Sequence, residues 1–167
     1  IGLLSVDIDG NDYWVWKAID VVIPAIVVCE YNAVLGDRYQ LTVPYQADFQ
    51  RTRAHHSNLY FGASLAALID LASRKGYAFV GTNSNGCNAF FVRNDRAADV
   101  LKAIGEVRSF PSAIRESRDA LGQLTFACGE SRVEVIRHLP VFDFEANVLK
   151  PLVDLGELYS EEWRRVH

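Results

Sequence analysis

Apolar positions come along this chain in two rhythms. Residues 2–8 and the run AIVVCEY at 25–31 are nearly continuously apolar, the density of strands covered on both faces. Between them Asn11 is placed to cap a short helix carrying Tyr13, Trp14, Trp16 and Ile19, and Pro24 ends that connection. The second strand finishes on polar groups, Glu30 and Asn32. A helical rhythm then takes over in GASLAALIDLASRKGY, with Ser64 in the cap position, apolar residues at 65, 68, 69 and 72, and Gly76 at the stop.

YAFVGT and CNAFFV flank the polar NSNG, which predicts two antiparallel strands joined by a tight turn. A helix over about 95–104 follows. Beyond Gly105 the pattern weakens to amphipathic pieces around 111–121, 131–139 and 146–159, expected as helical decoration of the sheet. Residues 33–61, irregular and aromatic, are longer than an ordinary connection and read as a lid or binding segment. Right-handed crossovers make the first three strands parallel, and the hairpin adds an antiparallel one. The expected fold class is α/β: a Rossmann-like, mostly parallel sheet with a terminal antiparallel hairpin over residues 1–95, and a helical C-terminal extension over 96–167.

Composition narrows the setting. The 167 residues suffice for one domain with a real core, half of them are apolar, and no run reaches the length of a membrane span. A formal charge of −4 leaves no basic footprint for nucleic acid, although Arg51, Arg53, His55 and His56 form one local cationic cluster. The three cysteines show neither a disulfide framework nor CxxC spacing, so the expected setting is reducing and cytoplasmic, with no membrane partner. The chain opens on Ile1 at a strand and contains no methionine, the look of a fragment.

The chemistry concentrates in VDIDGNDYWVW, where Asp7, Asp9, Asn11 and Asp12 follow an apolar run. A calcium loop starting at Asp7 fails, because Asp12 stands where glycine is needed and Ala18 where the bidentate glutamate is needed. DIDGN also resembles the nucleophile strand of haloacid-dehalogenase-type phosphatases, with Asp7 attacking phosphorus, but Asn11 replaces the expected threonine. Neighbouring parallel strands lie roughly 4.8 Å apart, so Asp9 and Glu30, at two strand ends, are expected to converge on one crevice. The bland alternative is that Asp9 and Asn11 merely fix a turn and cap a helix. For Asp7 and Asp9 function is favoured, since a carboxylate inside an apolar strand is costly to bury without a partner.

The element order, together with VDIDGNDYWVW, AIVVCEYN and NAFFVRND, resembles the second half of class I S-adenosylmethionine-dependent methyltransferases, where the last strand is inserted antiparallel beside its predecessors. The first of these stretches is similar to the D-x-E-G-x-E turn of FkbM-like members, with Asp7 and Asp9 at its acidic positions and Gly10 matching. The resemblance implies O-methylation of a saccharide or small-molecule hydroxyl, with Asp7 and Asp9 as catalytic residues and Asn11, Glu30 and Asn32 as substrate-binding ones. It implies S-adenosylmethionine as cofactor, yet the glycine-rich loop and acidic residue that hold it in the family are missing from this chain. An apolar sheet edge left open by that missing half is expected to associate with another strand, in a homo-oligomer or otherwise. The alternative class is a non-catalytic binding or assembly domain of the same fold.

Overall fold

The computed structural model describes residues 1–166. β1 (Leu3–Val6) leads into α1 (Asp12–Ala18), and β2 (Ile26–Glu30) into a 3-10 turn at Ala33–Leu35 and the short β3 (Leu41–Thr42). α2 (Arg51–Ala54), α3 (Leu65–Arg74), β4 (Tyr77–Thr82), β5 (Asn88–Arg93) and α4 (Asn94–Ile104) follow. α5 (Ser131–Ile136), β6 (Pro140–Asp143), β7 (Val148–Pro151) and α6 (Glu161–Arg164) come last. The fold is mixed α/β, and no helix among the described residues is long and apolar enough to cross a membrane.

The first two strands pair in parallel, Leu3 opposite Ile26 through Val6 opposite Cys29. The 77–82 and 88–93 strands form the expected antiparallel hairpin. The sheet order is β1-β2-β5-β4, so the later hairpin strand lies inside, antiparallel to both β2 and β4. β1, β2 and β4 thus share one direction, as expected, and β5 alone opposes them; because it lies between β2 and β4 the sheet is mixed, with a single parallel pairing. The inner place goes to the strand that buries more: Ala89, Phe91 and Val92 are inside on β5, whereas β4 is only partly covered along most of its length.

The C-terminal region departs further from expectation. Only its 131–136 piece forms a helix of the expected kind; 111–121 is irregular, and 140–151 is a hairpin that pairs with β3 in a second, three-stranded antiparallel sheet. Alternation over Pro140–Asp143, with Val141 and Asp143 inward, is a strand period hidden in sequence by the charged Asp143. That carboxylate is satisfied inside by Lys150 Nζ at 2.7 Å and by the N–H groups of Glu145 and Ala146. The extension is thus a sheet-forming partner of the 33–63 segment.

Trp16, Tyr13, Tyr31, Phe91, Leu68 and Trp163 anchor one core shared by both sheets. Ser64 caps α3 as expected, accepting from Ala67 N, and also bonds Leu41 N and Tyr39 O, tying the cap to β3. Gly10 is needed for a different reason: a Cβ there would lie 2.1 Å from the Phe49 ring, which packs the aromatic loop onto the turn after β1. Gly10→Ala is expected to cost about 1–3 kcal/mol, the usual range for overpacking. Chemical denaturation of the two proteins measures it, and equal midpoints would show that the loop is not seated there.

β1 is an edge strand with one neighbour, and Leu3 and Ile8 remain more than half or half exposed along it, 55% and 50%. The chain's own C-terminal segment does not cover that edge, because it pairs with β3 instead.

Candidate functional site

The turn after β1 is built by Asp12. Its carboxylate, fully buried, accepts from Ile8 N at 2.9 Å and Gly10 N at 2.8 Å, which pins the backbone between strand and helix. Burial raises its pKa above the ordinary value, outweighing those two donors, with Asp7 adding to the rise. Asn11 holds the N-cap position of α1 but makes no side-chain cap bond. Its Nδ2 instead donates to Gln46 O at 2.7 Å, clamping the aromatic loop, and its Oδ1 is buried without a partner. The expected capping role of Asn11 is therefore replaced by a loop contact.

Asp7 stands beyond the end of β1 and is exposed. The argument that a carboxylate buried in a strand demands a function does not hold for it, because the buried carboxylate of this stretch is Asp12. Asp9 is exposed too and sits in the left-handed region at φ 56°, a conformation that aspartate tolerates. That backbone turns its carboxylate away from the local N–H groups and toward Arg51, whose Nη1 donates to it at 2.9 Å. Arg51 also donates from Nε to Asn58 O at 2.8 Å and stacks its guanidinium 3.8 Å from the Phe61 ring centre.

Arg51 is the hinge of the site. On its outer side an open cleft of about 400 Å³ is lined by Ile8, Asp9, Phe49, Asn58 and Glu116. On its inner side a cavity of about 70 Å³ reaches Glu30 at the end of β2. Asp9 and Glu30 thus flank one arginine at two neighbouring strand ends. Glu30 is partly buried, its Oε2 finds no partner, and its pKa is pushed up to about 8. Burial is the largest cause; Asp12, Asp7 and Asp9 add to it, and Arg51 opposes it. At neutral pH the group is a carboxylic acid close to its titration point.

Asn32 lines the same cavity, but its carboxamide is spent on the protein. Nδ2 donates to Leu59 O and Phe61 O, and Oδ1 accepts from Val34 N. It holds the aromatic loop in place and has both N–H groups of its amide already donated. Asp7 and Asn11 line neither space.

A strap formed by residues 105–118 roofs the inner cavity. Phe110 N donates to Thr82 Oγ1, Tyr31 Oη donates to Phe110 O, Ala113 N donates to Asn85 O, and Arg118 N donates to Ser57 O. Gly86 lets the strap approach, since a Cβ there would lie 2.3 Å from Pro111 O. His55, His56 and His138 gather nearby, with ring centres 4.1 Å and 5.9 Å from that of His55. Burial, then the two neighbouring imidazoles, lowers the His55 pKa. Among the described residues no three His, Cys, Asp or Glu side chains are arranged to hold a metal ion.

Asp9 and Glu30 do not share one crevice as expected: Asp9 lines the outer cleft and Glu30 the inner cavity, with Arg51 bordering both. Arg51 reads in sequence as an exposed charge, and only the fold lays it on Phe61. Arg132, lining the inner cavity from α5, falls four positions before the buried Ile136, a helical spacing that marks it as inward-facing. The chain matches no family model, no curated protein and no solved structure.

Proposed function

We propose that the chain is the acceptor-binding half of a methyltransferase-like enzyme that transfers a methyl group to a saccharide or small-molecule hydroxyl. The observation that carries this reading is the sheet order β1-β2-β5-β4, a parallel pair followed by a last strand inserted antiparallel beside it. The crevice at the C-terminal ends of β1 and β2, where α/β sheets place ligands, supports it. Glu30, with its pKa at about 8, is suited in its ionised form to take the proton of a bound hydroxyl as its oxygen becomes nucleophilic, so turnover is expected to rise with pH up to that value. In this reading Asp9 positions Arg51, and Asp7 acts on Glu30 through its charge.

The residues present do not form a cradle for S-adenosylmethionine. The N–H groups of Ile8 and Gly10 in the turn after β1 are occupied by Asp12, and the chain has no glycine-rich strand-to-helix turn to replace them. Binding of that cofactor would fall to protein outside this chain, with the open edge of β1 as the surface for it. The same edge suits the second reading, a binding or assembly domain that joins a partner strand there without catalysis.

Calorimetric titration of the full-length protein with S-adenosylmethionine separates the two. Saturable binding together with transfer of labelled methyl to a hydroxyl acceptor supports the enzyme. Absence of binding overturns it in favour of the assembly domain.

A further inference from the structure

Arg132 is the most unusual charge in the molecule. It is 2% exposed, and among the described residues it takes part in no ion pair. Its Nε and Nη1 reach the carbonyls of Gly129 and Ile114 only at 3.4 and 3.3 Å, and Nη2 has no acceptor. The buried Tyr159 hydroxyl lies beside it and interacts with the guanidinium, which opposes the rise that burial gives the phenol's pKa, but a neutral phenol cannot neutralise the charge. A guanidinium stays protonated under all ordinary conditions, so a buried one without a counter-charge is strongly unfavourable. Tertiary structure that maintains such a group leaves the charge available to a ligand.

The place where a ligand would sit is already formed. Arg132 lines the inner cavity, the space Arg51 and Glu30 also border, together with Ser112 on the strap. Its volume of about 70 Å³ is room for roughly two waters at liquid density, or for one small oxyanion group. The second cation of the cavity, Arg51, is committed to Asp9, whereas Arg132 is not committed to any carboxylate. Ser112 accepts from Ile114 N and keeps its own hydroxyl proton to donate. Glu116 lines both spaces and is exposed, a negative group at the rim that disfavours anions entering without a matching inner cation.

We infer that the inner cavity is a subsite for a small oxyanion, a phosphate or carboxylate group, bound to Arg132 with the Ser112 hydroxyl as a second donor. The subsite stands on its own; that the anion is carried by the molecule whose hydroxyl lies in the outer cleft rests on the reading of that cleft as the acceptor site. The acceptor class then narrows to acidic hydroxyl compounds, such as a sugar phosphate or a sugar acid, with neutral sugars disfavoured.

The probes are inorganic phosphate and acetate, titrated at constant ionic strength set with sodium chloride, with thermal unfolding and 31P line broadening as readouts for the 167-residue chain. One of the two is expected to raise the unfolding temperature saturably, and whichever does so at lower concentration names the group. Arg132→Met, which keeps the bulk of the side chain, is expected to weaken that binding at least tenfold, and Arg53→Gln, exposed and outside the cavity, to leave it unchanged. Hydrogen exchange of the unaltered chain keeps the test decisive if Arg132→Met fails to fold. The anion should slow exchange at residues 112–117 and 129–133 and leave α4 alone. No saturable effect of either anion, or protection located elsewhere, overturns the subsite. Because no methyl donor is present, failure of methyl transfer leaves this result standing, and methylation of neutral sugars alone would remove the acidic acceptor while sparing the enzyme.

Discussion

Between about pH 5 and 8 the protein is expected to lose stability as pH rises, and Glu30→Gln is expected to remove most of that loss. In the folded chain Glu30 titrates at about 8, against an ordinary value of 4.5. Over that window the native state keeps a proton that the unfolded chain has released, so each step up in pH favours unfolding. The effect is absent below the unfolded value and complete above the folded one. Its ceiling is roughly 5 kcal/mol, reduced by whatever relaxation lets water reach the carboxylate. Burial is its main cause; the carboxylates of Asp12, Asp7 and Asp9 add to it and the guanidinium of Arg51 opposes it. His55, with its lowered pKa, acts in the other direction as pH falls through the imidazole range, so the informative quantity is wild type minus Glu30→Gln at each pH. Urea unfolding at half-unit intervals measures it, and parallel curves for the two proteins would show that Glu30 is solvated and ordinary. Under the proposed methyl transfer the same substitution removes the proton acceptor, and turnover is then expected to drop by roughly 10²–10⁴-fold.

How much of this was legible in the sequence follows from which forces act locally. The strand at 3–6, the strand at 26–30 and their parallel pairing were readable because uninterrupted apolar, β-branched runs have few other uses. Ser64 and the helix behind it were readable for a similar reason, a cap followed by a 3.6-residue apolar stripe. The inner position of β5 was not readable from the apolar pattern, which marks both hairpin strands alike; only the resemblance implied an inserted antiparallel last strand. The hairpin at 140–151 was hidden by Asp143, whose charge looks external until Lys150 is laid beside it. At the site, Asp9 and Glu30 were found through strand ends alone. Arg51 escaped because its role depends on a ring ten residues along the chain and a carboxylate from another element. Asn32 has a second use that the sequence did not show: a polar residue at a strand end marks a ligand or a loop anchor equally, and here its amide makes three hydrogen bonds to the 34–61 segment.

Asp12 and Asp9, three residues apart, are expected to respond oppositely to the same change. Asp12→Asn keeps shape and volume but converts one of two accepting oxygens into an NH2 group. Because both oxygens face backbone donors, Ile8 N and Gly10 N, one donor is left opposite another donor in a fully buried place. Losing one charge-assisted bond and stranding a buried N–H is expected to cost about 2–3 kcal/mol. Asp12→Ala, which strands both donors, should cost at least as much, so asparagine rescues little. Asp9 is a different case: its side chain is 63% exposed, its only charged partner is Arg51, and asparagine accepts φ 56° as readily as aspartate does. An exposed ion pair contributes about 0.2–1 kcal/mol, so Asp9→Asn should shift stability by no more than that. Thermal and urea unfolding of the three variants at pH 6 and at two salt concentrations provide the measurement. Salt should reduce the Asp9→Asn difference and leave the Asp12→Asn difference intact, because the first interaction faces solvent and the second does not. Equal losses at the two positions would mean that the turn after β1 is held by its charges as a group, and that Asp12 is not its fastening point.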